Sequence, residues 1–134
     1  MKSVSLIFLA TLLMFSACQN EKIDNTNFVQ VENVSFSTDV LPIFESKCGG
    51  SGCHIGTQSA SQVNLTNYRR VISSVGEGYN RVIVVAGNSE RSPLLEKLLR
   101  QPTVGEQMPI GAGPLSPLEI STIRTWVDEG ALDN

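Results

Sequence analysis

The run Cys48-Gly49-Gly50-Ser51-Gly52-Cys53-His54 constrains this chain more than any other stretch. Three glycines in four positions lose too much backbone entropy to continue a helix. The chain must therefore loop here, and it loops with two thiols and an imidazole held close in sequence. Cys53 and His54 are neighbours, and adjacent side chains rarely reach each other productively, so a cysteine nucleophile activated by this histidine is a poor fit.

Two cysteines followed at once by histidine match the logic of c-type haem attachment. Two thiols add across the porphyrin vinyl groups, and the next residue offers its imidazole to the iron. The usual spacing leaves two residues between the cysteines, whereas this loop has four. Its glycines make the longer bridge accessible, since they adopt positive φ and let backbone approach a ring. Two other chemistries compete for the same residues. A structural zinc site wants four Cys or His ligands, and beyond residue 18 the chain offers only Cys48, Cys53 and His54. A three-ligand catalytic zinc lacks an evident general base nearby. A Cys48–Cys53 disulfide suits an oxidising compartment, but it closes a very short loop and stabilises little.

Met108 adds a fourth group. It lies in Gly105-Glu106-Gln107-Met108-Pro109-Ile110-Gly111-Ala112-Gly113-Pro114, an odd setting for a core methionine. One reading is a flexible gap-filler. The other is a distal iron ligand whose thioether sulfur caps the metal opposite His54. Pro109 biases Met108 to extended backbone, which helps to project the side chain. A His/Met pair closes the iron on both sides and raises its potential, which suits electron transfer and argues against oxygen or peroxide chemistry.

The N-terminus reads as an export signal. Lys2 supplies a positive start, residues 4–15 are dominated by apolar side chains, and the small Ser16 and Ala17 precede Cys18. The apolar run is short for a membrane span of about 20 residues. Met14-Phe15-Ser16-Ala17-Cys18 resembles a bacterial lipoprotein signal, in which the cysteine becomes the lipidated first residue. Plain signal-peptidase cleavage or a short membrane anchor are the competing readings. With residues 1–17 removed, His54 is the one histidine left and Met108 the one methionine.

A chain of 134 residues suffices for one domain with a modest core. Residues 18–36 read as a polar tether, with Val29, Val31, Val34 and Phe36 hinting at an extended stretch that docks on a domain of residues 37–134. Thr38 or Asp39 is the expected cap of a helix through Val40, Leu41, Ile43, Phe44 and Lys47. Tyr68, Val71, Ile72 and Val75 share one face of a second helix. Residues 81–85 are β-branched and predict a short extended segment. Ser92-Pro93 opens a third helix that buries Leu94, Leu95, Leu98 and Leu99. The last helix carries a Ser116 cap, Pro117 at its first position, Glu119 completing a capping box, and an apolar stripe of Ile120, Ile123, Trp126 and Val127 that ends at Gly130. With 13 acidic against 10 basic residues and no basic cluster, nucleic acid is excluded as a partner.

Taken in order, these segments resemble a small class I-type cytochrome c domain of bacterial lipoproteins, with a longer Cys-x4-Cys-His attachment motif. The resemblance spans roughly residues 36–132. It rests on Asp39-Val40-Leu41-Pro42-Ile43-Phe44 leading into Cys48…Cys53-His54, on Val63-Asn64-Leu65-Thr66-Asn67-Tyr68, and on the stretch from Val85 to Leu95. It continues through Gln107-Met108-Pro109, Pro114-Leu115-Ser116 and the stretch from Ile123 to Ala131. It implies an all-α fold of four or so short helices around one covalently bound haem, with the final helix packed across the N-terminal one. It implies one haem c per chain, anchored by Cys48 and Cys53, with His54 and Met108 on the iron. The expected pocket wall is Leu41, Phe44, Leu65, Tyr68, Leu95, Leu98, Ile123 and Trp126, and Arg69, Arg70 or Arg81 is expected to pair with a propionate. The function so implied is electron transfer between redox partner proteins, not enzymatic turnover of a small-molecule substrate. The protein would be held at the membrane by lipid on Cys18, facing the periplasm or cell surface. The rival from another class is a lipid-anchored binding or structural module stapled by a Cys48–Cys53 disulfide.

Overall fold

The computed structural model describes residues 29–57 and 59–134. Cys18 and the expected export signal lie outside them. The described part is mostly helical, with one small two-stranded sheet. A π-helical turn, Phe36–Val40, runs directly into α1, Leu41–Cys48. Further along come α2 (Tyr68–Ser73), β1 (Val75–Gly76), β2 (Arg81–Val82), α3 (Pro93–Leu98) and α4 (Pro117–Asp128). β1 and β2 pair antiparallel, Val75 opposite Val82 and Gly76 opposite Arg81.

α2, α4 and the π-helical turn begin at side-chain caps, whereas α1 and α3 begin without one and carry proline in their first turn. The Asn67 side chain accepts from Arg70 N at the start of α2. Ser116 and Glu119 form the expected reciprocal capping box on α4, with bonds of 3.2 and 2.7 Å. The N-terminal helical segment starts earlier than Thr38. Ser35 is its cap: its hydroxyl accepts from Thr38 N, while its own N–H donates to Asp39 Oδ2 at 2.8 Å.

Residues 33–36 therefore belong to the fold rather than to a tether. Val34 and Phe36 are buried. The Glu129 carboxylate accepts from Asn33 N and Val34 N, which ties this segment to the end of α4. Val29, by contrast, is exposed.

The core is an aromatic cluster. The Phe36 ring meets Trp126 at 5.3 Å, Tyr68 at 5.4 Å edge-on, and Phe44 at 6.5 Å. Val40, Val71, Ile123 and Val127 close around it, all fully buried. Trp126 is fully buried too, and its indole N–H is satisfied by Leu132 O at 2.9 Å. α4 thus packs on the π-helical turn of the N-terminal segment, and it also packs on α3. A Lys47–Glu119 ion pair at 3.4 Å spans α1 and α4 at the surface. α3 ends at Leu98, one residue short of the expected stripe, and Leu99 is left 42 % exposed.

Candidate functional site

α1 delivers Cys48 at its last residue, and the glycine loop then folds back on the helix end. Cys53 N donates to Gly50 O at 2.9 Å, and His54 N donates to Cys48 O at 3.1 Å. The loop is fastened to the next segment by Leu65 N donating to His54 O at 2.7 Å.

The His54 ring is oriented by a second bond, from Nδ1 to Val63 O at 3.1 Å. A carbonyl only accepts, so Nδ1 carries the hydrogen, and in the neutral ring Nε2 then holds the lone pair. That is the state an imidazole needs in order to ligate a metal through Nε2.

His54, Cys48 and Met108 line one cavity of about 270 Å³ that is open to solvent. Most of its wall is apolar. Val63 and Leu65 come from the segment that holds His54, Ile83 follows β2, and Pro93, Leu94 and Leu98 come from one face of α3. Met108 arrives on the loop after α3, its N–H bonded to Lys97 O at 2.8 Å and its peptide bond to Pro109 cis. All three site side chains are half-buried.

Cys53 is not part of the cavity wall. Its Sγ lies 3.9 Å from Ser51 O. Both thiols are free, with no bond between them. Burial, followed by the charges of Cys53 and Glu119, pushes the Cys48 thiol up from an ordinary 9.0 to about 11. Among the described residues no group of three or more His, Cys, Asp or Glu side chains is placed to hold a metal ion. The zinc reading therefore finds no ligand set there.

The expected pocket wall holds at two positions only, Leu65 and Leu98. Phe44, Leu95, Ile123 and Trp126 instead face one another in the core, and Tyr68 packs beside them with its hydroxyl on Ala131 O. The cavity borders the core through Leu65, Ile83 and α3, and α3 contributes side chains to both. Leu95 buries into the core, while Leu94 and Lys97 turn to the cavity. Leu41 packs on the core rather than the cavity. None of Arg69, Arg70 and Arg81 reaches the cavity wall; the basic residue there is Lys97. Tyr79 and Val104 were also not foreseen, because they sit in turns where hydropathy carries no period.

Comparison with protein-family models, with curated proteins and with solved structures returned no match to this chain.

Proposed function

We propose that this protein is an electron-transfer protein, a monohaem c-type cytochrome held by lipid on Cys18 outside the cytoplasm. One observation carries the proposal: the chain's single histidine and its single methionine beyond the leader, far apart in sequence, line the same apolar cavity beside Cys48. A core packed for stability alone gives no reason for these particular groups to converge on an open space.

The residues present fit haem in their donor chemistry. Bound haem would supply an iron that cycles between two oxidation states. His54, its tautomer set by Val63 O, would hold the iron through Nε2. Met108 would hold it through its thioether, the softer of the two donors. Cys48 and Cys53 would anchor the ring, the first from the cavity wall and the second, which lies outside that wall, from the end of the glycine-rich loop between residues 49 and 53. At about 270 Å³ the cavity lies just under the usual range for ligand pockets, roughly 300–1,000 Å³. A porphyrin would therefore require this cavity to widen. Apolar walls from Leu65, Ile83, Leu94 and Leu98 would exclude water from the ring face.

The partners under this proposal are a donor and an acceptor protein, with no small-molecule substrate and no enzymatic turnover. The acidic balance of the chain favours a basic docking patch on those partners. Protein made in a host able to attach haem should show a c-type absorption band that survives acid–acetone extraction. Colourless protein containing a Cys48–Cys53 disulfide would overturn the proposal in favour of a stapled binding module.

A further inference from the structure

Lys97 is the point from which the methionine loop hangs. Its ammonium donates to Val104 O at 2.8 Å and also to Glu106 O. Its own carbonyl accepts the Met108 N–H at 2.8 Å. Between the two bound carbonyls, Gly105 takes φ +62° and bends the chain around the ammonium; a Cβ there would stand 3.4 Å from Lys97 Nζ. Two neighbouring ties complete the attachment: Gln107 Nε2 donates to Leu98 O at 2.8 Å, and Thr103 N donates to a Glu96 carboxylate oxygen at 2.6 Å.

The chemistry explains the arrangement. A helix leaves its last carbonyls without partners, and here the loop supplies donors to two of them, Lys97 O and Leu98 O. A lysine ammonium has three donors and no acceptor, so it bridges carbonyls that a neutral side chain would leave to water. The side chain is half-buried and forms part of the cavity wall. Nothing in the core requires a charge at this place.

We infer that Lys97 is a positioning residue for Met108, clamping the loop from residue 104 to residue 108 so that the methionine stays in the wall of the cavity that His54 also lines. The inference rests on the His/Met proposal above for what Met108 does, but the clamp itself is testable without haem.

In haem-free protein, Lys97→Ala should raise amide hydrogen exchange at Gly105, Glu106, Gln107 and Met108 at least tenfold. Exchange at Ile123 to Val127 in α4 should stay unchanged. Lys97→Arg, which keeps the charge and can bridge two carbonyls, should restore most of the protection. In haem-loaded protein, Lys97→Ala should speed carbon monoxide binding to the reduced iron at least tenfold, with Lys97→Arg near wild type. Wild-type exchange in the loop of Lys97→Ala would overturn the clamp, as would a loss of protection shared equally with α4. Loss of the clamp with no change in carbon monoxide binding would overturn the ligand-positioning role. A wild-type protein that takes up no haem would instead overturn the functional proposal and with it the ligand role, while the exchange comparison still decides the clamp.

Discussion

The ring of His54 is oriented by a backbone carbonyl. Val63 O holds Nδ1 at 3.1 Å, so the other ring nitrogen is free to act as a donor to metal. Met108 depends on the end of α3 in the same way. Both residues were legible in the sequence, His54 from its place after Cys53 and Met108 from its odd glycine-rich setting. Their supports were not, because a backbone acceptor such as Val63 O or Lys97 O has no side-chain signature. If Met108 is the distal ligand, Met108→Ala should lower the reduction potential and open the iron to carbon monoxide, both readable by titration and flash photolysis. Wild-type protein that already binds carbon monoxide as fast as the variant would contradict the six-coordinate site. The cysteines differ as well. With its thiol pushed up to about 11, Cys48 stays protonated at neutral pH. In haem-free protein, iodoacetamide should therefore leave Cys48 nearly unmodified at pH 8 and alkylate it increasingly as pH rises toward 11, followed by peptide mass mapping. The linkage has a matching sign. A raised thiol pKa stabilises the fold fully below the unfolded value near 9.0 and loses that contribution as pH climbs through about 11.

Among the helices, α4 was the most legible. Ser116, Pro117 and Glu119 stand at the spacing a capping box needs, and the box is formed. Ser116→Ala should cost about 1 kcal/mol by loss of the cap, seen as a fall in Tm of about 4–8 °C for a domain of this size. An unchanged Tm would mean that the box is redundant. α1 was less legible. The π-helical turn of residues 36–40 moves the start of helical structure back to Ser35, and no hydropathy period announces such a turn. The end of α3 was misjudged by one residue for a related reason. Leu98 and Leu99 are equally apolar, but the chain leaves the helix between them to begin the loop that carries Met108. The short sheet was foreseen as one extended segment from its β-branched residues; its partner, Val75–Gly76, lay hidden at the end of the second helical stripe.

Among the described residues core and cavity adjoin: Leu65, Ile83, Leu94 and Leu98 belong to both, while Phe44, Ile123 and Trp126 belong to the core alone. The apolar periodicity of the sequence identified Phe44, Ile123 and Trp126 as buried, but it also counted Val75 and Leu99, which lie exposed beyond the ends of their helices. It could not divide the buried residues between core and cavity, because burial against protein and burial against a ligand leave the same pattern. The division has a consequence for stability. Trp126 touches the core cluster and not the cavity, so Trp126→Ala should cost about 3–5 kcal/mol whether or not haem is bound. Set against a total stability of about 5–15 kcal/mol for a domain, that loss should be evident in a urea melt of the haem-free protein. A melt unchanged by the substitution would show that the aromatic cluster is not what holds the N-terminal segment to α4. The central claim, one haem attached at Cys48 and Cys53, is tested most directly by the mass of the protein purified from a haem-attaching host, followed by mapping of its peptides. The expected result is chain plus one haem, carried on the peptide from Cys48 to His54, with neither thiol open to alkylation. A bare peptide with two alkylatable thiols, or with a disulfide between them, would contradict it.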